Sequence, residues 1–319
     1  MLPRSRILPI LLAGVGIALI VGGLVAPRFL LGDGRLPLDL ENSTWTLRDP
    51  DGTYLGEPAP VTRQLHMGIQ NPADRETTGV RVGDTLRAGT AGRDFDNLVS
   101  AATWSYEMDR VTGQPTGDMR LQSVMAMPET TVSAGGQWLK FPANVAQEEY
   151  EVFDPTLRAT APAHFVGQEE VAGRTVYRFE QDIAPTNVAL AYADLRNTTT
   201  VEGPEGEQIR AFLFHSARRV IRVDQVSGLV VGLEEKVDDY YADAQGARLR
   251  DLVTYDARMD EAQVEGLAGQ LGTVFSQAQS RAVTIGVIAL GALLAVAGLA
   301  GLAGAVRPER TRPRHTFAE

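Results

Sequence analysis

A chain of 319 residues, 44% hydrophobic and 22% charged, is long enough for one large domain or two small ones and too polar for a transporter of many spans. It has no cysteine, which excludes disulfides and Cys-based zinc sites. Its net charge of −10 makes it a poor partner for nucleic acid or for an anionic leaflet.

The chain opens on Arg4 and Arg6 and then an uncharged run, Ile7 to Ala26, of the length that a spanning helix needs. No small-x-small cleavage site follows it and Pro27 does, so an uncleaved anchor is expected rather than a removed signal peptide. A second uncharged run, Ala282 to Val306, lies near the other end, followed by Arg307, Arg310, Arg312 and Arg314. The arginines at both outer ends predict two cytoplasmic termini. The expected organisation is a tail (1–6), a span (7–26), an extracytoplasmic β-rich domain (27–281), a span (282–306) and a basic tail (307–319). Gly14, Ala18 and Gly22 in the first run, and Ala297, Gly301 and Ala305 in the second, have the four-residue spacing of small residues that lets helices approach closely. The two spans could pack together, or with another copy in a homo-oligomer.

Between the runs the apolar signal alternates. Val99–Asp109 puts Ala102, Trp104, Tyr106 and Met108 on one side of a strand. Val61–Gln70, Arg210–Asp224, Leu229–Tyr241 and Leu249–Arg258 suit strands as well. Phe165–Asp182 reads as a hairpin around Ala172-Gly173, with Thr175, Tyr177 and Phe179 on one face and Val176, Arg178 and Glu180 on the other. A turn pattern, D-x-V-[ST]-G, occurs at Asp109–Gly113 and again at Asp224–Gly228, where Asp can bind turn N–H groups and Gly accepts a positive φ. Met259–Gln279 has helical spacing through Val264, Leu267, Leu271, Val274 and Phe275, weakened by Gly266, Gly269 and Gly272. The fold class is therefore mainly β (α+β): a curved antiparallel sheet with a packing helix, between terminal transmembrane helices.

No catalytic constellation emerges, and no cofactor or metal is expected. His66, His164, His215 and His315 share no ligand spacing, and no nucleophile elbow, P-loop or dinucleotide fingerprint is present. The acidic group Glu234, Glu235, Asp238 and Asp239 lacks a calcium-loop pattern and reads as a solvated strand face. A non-enzymatic role is expected. Aromatic residues concentrate between Trp138 and Phe179. They form either core or the wall of a lipid-sized cavity, for which the candidates are Trp104, Tyr106, Trp138, Phe141, Tyr177 and Phe179.

The succession W-L-K-F-P (Trp138–Pro142), Y-x-x-F-D-P-T-L (Tyr150–Leu157) and A-H-F-V-G-Q-E-E-V-A-G-R-T-V-Y-R-F-E-Q (Ala163–Gln181) resembles the porin PorA-like family of actinobacterial envelope proteins. The resemblance implies an envelope protein with an exported domain between two anchors, and its name implies channel activity for some relative. The V-G-x-E-x-V-x-G-x-x-x-Y-x-F pattern is also similar to bacterial lipoprotein-carrier domains, in which a curved sheet holds an acyl chain. The expected partners are membrane lipid and an envelope lipid or glycolipid, bound or relayed by the exterior domain. The alternatives are a porin-like oligomer and a structural or sensory scaffold.

Overall fold

The computed structural model describes residues 4–25, 34–90, 94–123, 128–133, 135–271 and 277–304. Asp33–Val274 form one compact unit, and the two terminal segments form another.

In the terminal unit, helix α1 (Arg4–Val25) lies against the C-terminal helix (Gln277–Gly304), named α3 below. Their windows Ile7–Val25 and Ala282–Leu302 have mean hydropathies of 2.5 and 2.4, with only 17% and 11% of each buried. A soluble core helix would be largely covered. These helices instead leave Leu8 and Leu293 about two-thirds exposed, and they are long and apolar enough to cross a membrane. Their contact is made by small residues. A Cβ on Gly16 would lie 2.4 Å from the Ala295 nitrogen, and one on Gly298 would lie 2.5 Å from the Ala13 nitrogen. Ala13 and Gly16 face Gly298, Ala295 and Gly291, and Gly23 faces Ile288, with glycines at seven-residue spacing on both helices. The sequence suggested a different stripe. Gly14 and Gly22 have open space where a Cβ would stand, and Ala18 and Ala297 are exposed. Gly301 does meet α1, its Cβ position lying 3.2 Å from that of Pro9, while Ala305 is outside the described residues. Since the chain has no cysteine, Pro9→Cys with Gly301→Cys should oxidise to an intramolecular cross-link, read by mobility on a denaturing gel. Adding Gly16→Leu should abolish the link, because the leucine has only backbone to enter.

Among the described residues, the other unit is built from fifteen strands in one antiparallel sheet. In chain order they are β1 (Thr44–Asp49), β2 (Thr53–Tyr54), β3 (Glu57–Pro58), β4 (Val61–Ala73), β5 (Thr77–Ala88), β6 (Leu98–Asp109), β7 (Met119–Gln122), β8 (Thr130–Val132), β9 (Tyr150–Asp154), β10 (Ala159–Val171), β11 (Arg174–Asn187), β12 (Thr198–Glu202), β13 (Gln208–Asp224), β14 (Val230–Ala242) and β15 (Arg248–Met259). The main path runs β8-β7-β6-β5-β4-β1-β15-β14-β13-β11-β10-β9. The sheet curves strongly. Trp104 on β6 and Phe153 on β9 come from opposite ends of that order, yet their ring centroids are 5.4 Å apart. Among the described residues β8 and β9 end the order and do not pair with each other, so the sheet is open; the outer side of β9 is bridged by Gln137, whose N–H donates to Glu151 O and whose carbonyl accepts from Phe153 N–H.

Alternation holds along β6, where Trp104, Tyr106 and Met108 are buried and Glu107 is exposed. The β10–β11 hairpin turns at Ala172 and Gly173, both at positive φ. Both faces of β11 are covered: Val176 and Phe179 are fully buried although three residues apart, in unbroken register with β13. A bulge lies between Phe165 and Gly167 on β10. Helix α2 is shorter than its apolar period suggested, covering Glu261–Gly269 and burying Val264, Leu267 and Ala268. Leu271 lies beyond its end, and Val274 and Phe275 fall outside the described residues. Gly266 and Gly269 cost about 1 kcal/mol each relative to Ala, so this helix depends on packing. Arg222 of β13 binds Glu261, and Arg48 of β1 binds Asp260 at the entry to α2.

The two D-x-V-[ST]-G turns adopt one geometry and converge. Asp109 Oδ1 accepts from the Val111 and Thr112 N–H groups, and Asp224 Oδ2 accepts from that of Ser227. Gly113 and Gly228 have φ of +77° and +73°. Between them runs Gln137–Val145, whose backbone binds both turns: Ala143 N–H donates to Val111 O, and Phe141 N–H to Gly228 O. Lys140 is fully buried there, and its Nζ donates to the carbonyls of Val111, Phe141 and Ser227 at 3.1, 3.0 and 2.8 Å.

Candidate functional site

The inner face of the sheet carries charge where apolar residues are expected. Along β4 the inward phase reads Val61, Arg63, Leu65, Met67. Along β13 it reads Leu213, His215, Ala217, Arg219, Ile221, and along β14 Leu233, Glu235, Val237, Asp239. Each is an alternating strand with one or two ionisable residues in the buried phase. That parity is the sequence signal for this site, and it also corrects the reading of Glu234–Asp239 as a solvated face. Glu235 is only 3% exposed, and the Asp239 side chain is turned inward to His215. Glu234 and Asp238 are on the opposite phase, Asp238 bonding Arg248 and Thr254.

These groups form one network. Arg63 binds Asp84 of β5 through two bonds of 3.2 and 3.0 Å, and reaches Glu235 at 2.5 Å. Glu235 also accepts from Arg219 and from the Tyr255 hydroxyl. Arg219 continues to Asp154 at 2.6 Å and to the Gln181 amide oxygen at 2.9 Å. His215 lies between Asp239, at 2.6 Å from Nδ1, and Asp154, at 3.3 Å from Nε2. Burial alone would lower the His215 pKa, but Asp239 and Asp154 outweigh it and raise it to about 10. The imidazole is thus a charged member of the network at neutral pH. Burial would raise Glu235, yet Arg63 and Arg219 bring it down to about 2. Asp154 is likewise held far below the carboxylate range, burial being outweighed by Arg219 and His215. Burial, with Glu235 nearby, keeps Tyr255 protonated as a donor.

Beside the network is a cavity of about 300 Å³. Leu86, Val99, Leu121, Leu213 and Leu252 supply apolar wall, and Arg63, Asp84, His215, Arg219 and Asp239 supply charge. Trp104 and a neighbouring pair of loops complete it. In the loop after β9, Asp154 accepts from the Leu157 N–H and Arg158 has φ +55°. The Arg158 guanidinium packs 3.5 Å from the Tyr192 ring centroid and binds Asp194 at 2.7 Å. On the loop after β11, Leu190 and Leu195 are 85% and 81% exposed.

Of the six residues expected to line a cavity, Trp104 lines this one. The others fill space. Trp138 meets Trp104 and Phe153 in edge-to-face contacts. Phe141 and Phe179 stack at 5.2 Å with Tyr150 edge-on to both, and Tyr177 joins them through Phe165. Tyr106 is buried on the same strand as Trp104. The aromatic concentration is core, and the cavity lies on the charged part of the same inner surface.

Two basic groups titrate oppositely in one window. His215 is raised from 6.5 to about 10, so its stabilisation is complete below pH 6.5 and is lost as pH rises through about 10. Burial lowers Lys140 from 10.5 to about 7, against the pull of Asp109 and Asp224. Between those values the unfolded chain holds more protons at Lys140, so stability rises with pH there. The two slopes oppose each other in the parent chain. Thermal unfolding of His215→Gln should show stability rising between pH 7 and pH 10, and that of Lys140→Met should show it falling. Parallel profiles for the two variants would refute the assignment.

The family profile described as Porin PorA matches residues 8–300, both apolar helices and the whole sheet included. The chain belongs to the Porin PorA family. Two relatives called Porin PorA, from Corynebacterium amycolatum and Corynebacterium resistens, are 23% and 24% identical over 222 and 241 residues. Those matches cover 60% and 62% of this chain and 57% of each relative, so the chain aligns with little more than half of either. Porin PorA membership and two apolar terminal helices together fit a membrane protein.

Proposed function

We propose that this chain is a non-enzymatic membrane protein of the cell envelope whose sheet unit binds a small amphiphile, a lipid or glycolipid, and relays it. The observation that carries the reading is the cavity of about 300 Å³, lined by both apolar side chains and buried charged ones. Such a lining matches a molecule with an oily body and a polar end. The arginines outside both spans favour cytoplasmic termini and an extracytoplasmic sheet. Native mass spectrometry of the full chain tests the reading: a bound amphiphile is expected on the parent. Val99→Trp, which fills the cavity from a partly exposed position, should lower its occupancy at least about tenfold. A parent chain that is always bare, and that takes up no added amphiphile, sinks the idea.

A second reading has its own support. The relatives carry the name porin, and the face of α1 with Gly14, Ala18 and Gly22 is left open by α3. Copies joined through that face would form a channel-forming oligomer of helices. Two helices cannot enclose a pore alone. Stepwise conductance across a planar bilayer, lost in Ala18→Trp, is the expected result under this reading.

A further inference from the structure

We propose that the cavity takes its amphiphile head first, as an anion of the carboxylate type, with the Trp104 indole N–H and the Arg158 Nε–H as donors; this rests on the amphiphile-binding reading above. Two observations point to it independently.

The first is a pair of unused donors. Trp104 is 2% exposed and the Arg158 side chain 9%. Trp104 Nε1 and Arg158 Nε are both buried without a hydrogen-bond partner among the described residues, and both residues line this cavity. A buried N–H without an acceptor is costly. Two of them in one cavity wall call for an acceptor from outside the chain, which reaches them as the wall gives way, since each nitrogen has under 1 Å² of accessible surface.

The second is the local charge. Asp194 is shared between two guanidiniums, Arg158 at 2.7 Å and Arg196 at 3.8 Å, which leaves one positive charge at these loops. Deeper in, Asp84 is engaged by Arg63 and Asp239 by His215. Asp154 and Glu235, which balance Arg219 and Arg63, are not part of the lining. The lining thus carries Arg63, Arg158, Arg196, Arg219 and His215 against Asp84, Asp194 and Asp239, and the ligand meets a net positive charge. A cationic head would be opposed by that charge, and an alcohol would use the donors without gaining from it. Arg158 is also held at a φ of +55°, which favours glycine or asparagine over arginine. A long basic side chain kept in that conformation beside a cavity is consistent with use.

The test uses the full chain in amphipol, titrated calorimetrically with decanoate, decanol and decylammonium. Decanoate is expected to bind about tenfold more tightly than decanol, the worth of a charge-assisted bond, and decylammonium not to bind. Arg158→Asn keeps the positive-φ turn, because asparagine tolerates it. It should weaken decanoate far more than decanol, reducing the decanoate preference to about twofold or less. Trp104→Phe should weaken decanoate several-fold, with melting temperature checked to confirm folding. Equal binding of decanoate and decanol, indifferent to Arg158→Asn, overturns the head-group assignment and leaves amphiphile binding standing. Decanoate binding that persists in Val99→Trp places the site elsewhere and overturns it too. If no probe binds the parent chain and native mass spectrometry finds it bare, the amphiphile reading itself falls.

Discussion

Replacing Arg219 with methionine is expected to destabilise the sheet unit by about 3–5 kcal/mol, the cost of removing one partner from a buried ion pair. Arg219 is 6% exposed and serves three acceptors on three strands: Glu235 on β14, Asp154 on β9 and Gln181 on β11. Without it, Asp154 keeps His215 and the Leu157 N–H, and Glu235 keeps Arg63 and Tyr255, among the described residues. Both carboxylates would still be buried, with less to hold them ionised. Their pKa values should therefore rise, and acid unfolding should begin at a higher pH than in the parent. The sign is that of depressed carboxylates: stability is present above the unfolded pKa and is lost as pH falls through the folded one, about 2 for Glu235. Arg219→Met with Glu235→Leu should recover part of the loss, because a matched apolar pair needs no desolvation. Thermal unfolding with a pH series reads all of these. A melting temperature within a degree or two of the parent would show that the network is not holding the strands together.

The strands and their turns were legible because each rests on local chemistry. Alternation along β6 and the Ala172-Gly173 turn need no distant partner to be recognised. The spans were legible from length alone, but their contact face was not. Gly14–Ala18–Gly22 and Gly16–Gly23 are both stripes of small residues, and only the rotation of the partner helix selects one. The site was half legible. Arg63, Arg219 and Glu235 sit in the inward phase of their strands, which the sequence shows. Their mutual contacts depend on β4 facing β13 and β14 across a curved sheet, a non-local fact. The aromatic residues had the reverse fate. Seven aromatic residues within Trp138–Phe179 suggest a cavity wall as readily as a core, and packing distances near 5.5 Å decide for core. Helix α2 was overextended because helical period continues past Gly269, where the intrinsic cost of glycine is no longer offset.

Gly228→Ala should cost at least about 3 kcal/mol, the sum of an unfavourable left-handed residue and a backbone collision. Its φ is +73°, and its new Cβ would stand 2.1 Å from Phe141 O and 2.6 Å from Pro142 O. Both are main-chain atoms of the Gln137–Val145 segment that cannot turn aside. Gly173→Ala provides the comparison: its φ is +74°, with nothing within 4 Å of the Cβ position. It should cost about 1 kcal/mol, the conformational part alone. Gly113→Ala should resemble Gly228→Ala, because its Cβ would meet Lys140 O at 2.3 Å. The shared target of the two collisions explains why the D-x-V-[ST]-G turn occurs twice. Each turn presses on one side of Lys140–Phe141, and the Lys140 ammonium draws Val111 O and Ser227 O toward a common point. Lys140→Met should cost about 2–3 kcal/mol, since Val111 O retains Ala143 N–H while Ser227 O and Phe141 O lose a buried donor. If the clamp joins the turns, Lys140→Met and Gly228→Ala should be less than additive in thermal unfolding, because either change loosens the same segment. Strict additivity, or equal costs at Gly173 and Gly228, would mean that the two turns are held independently.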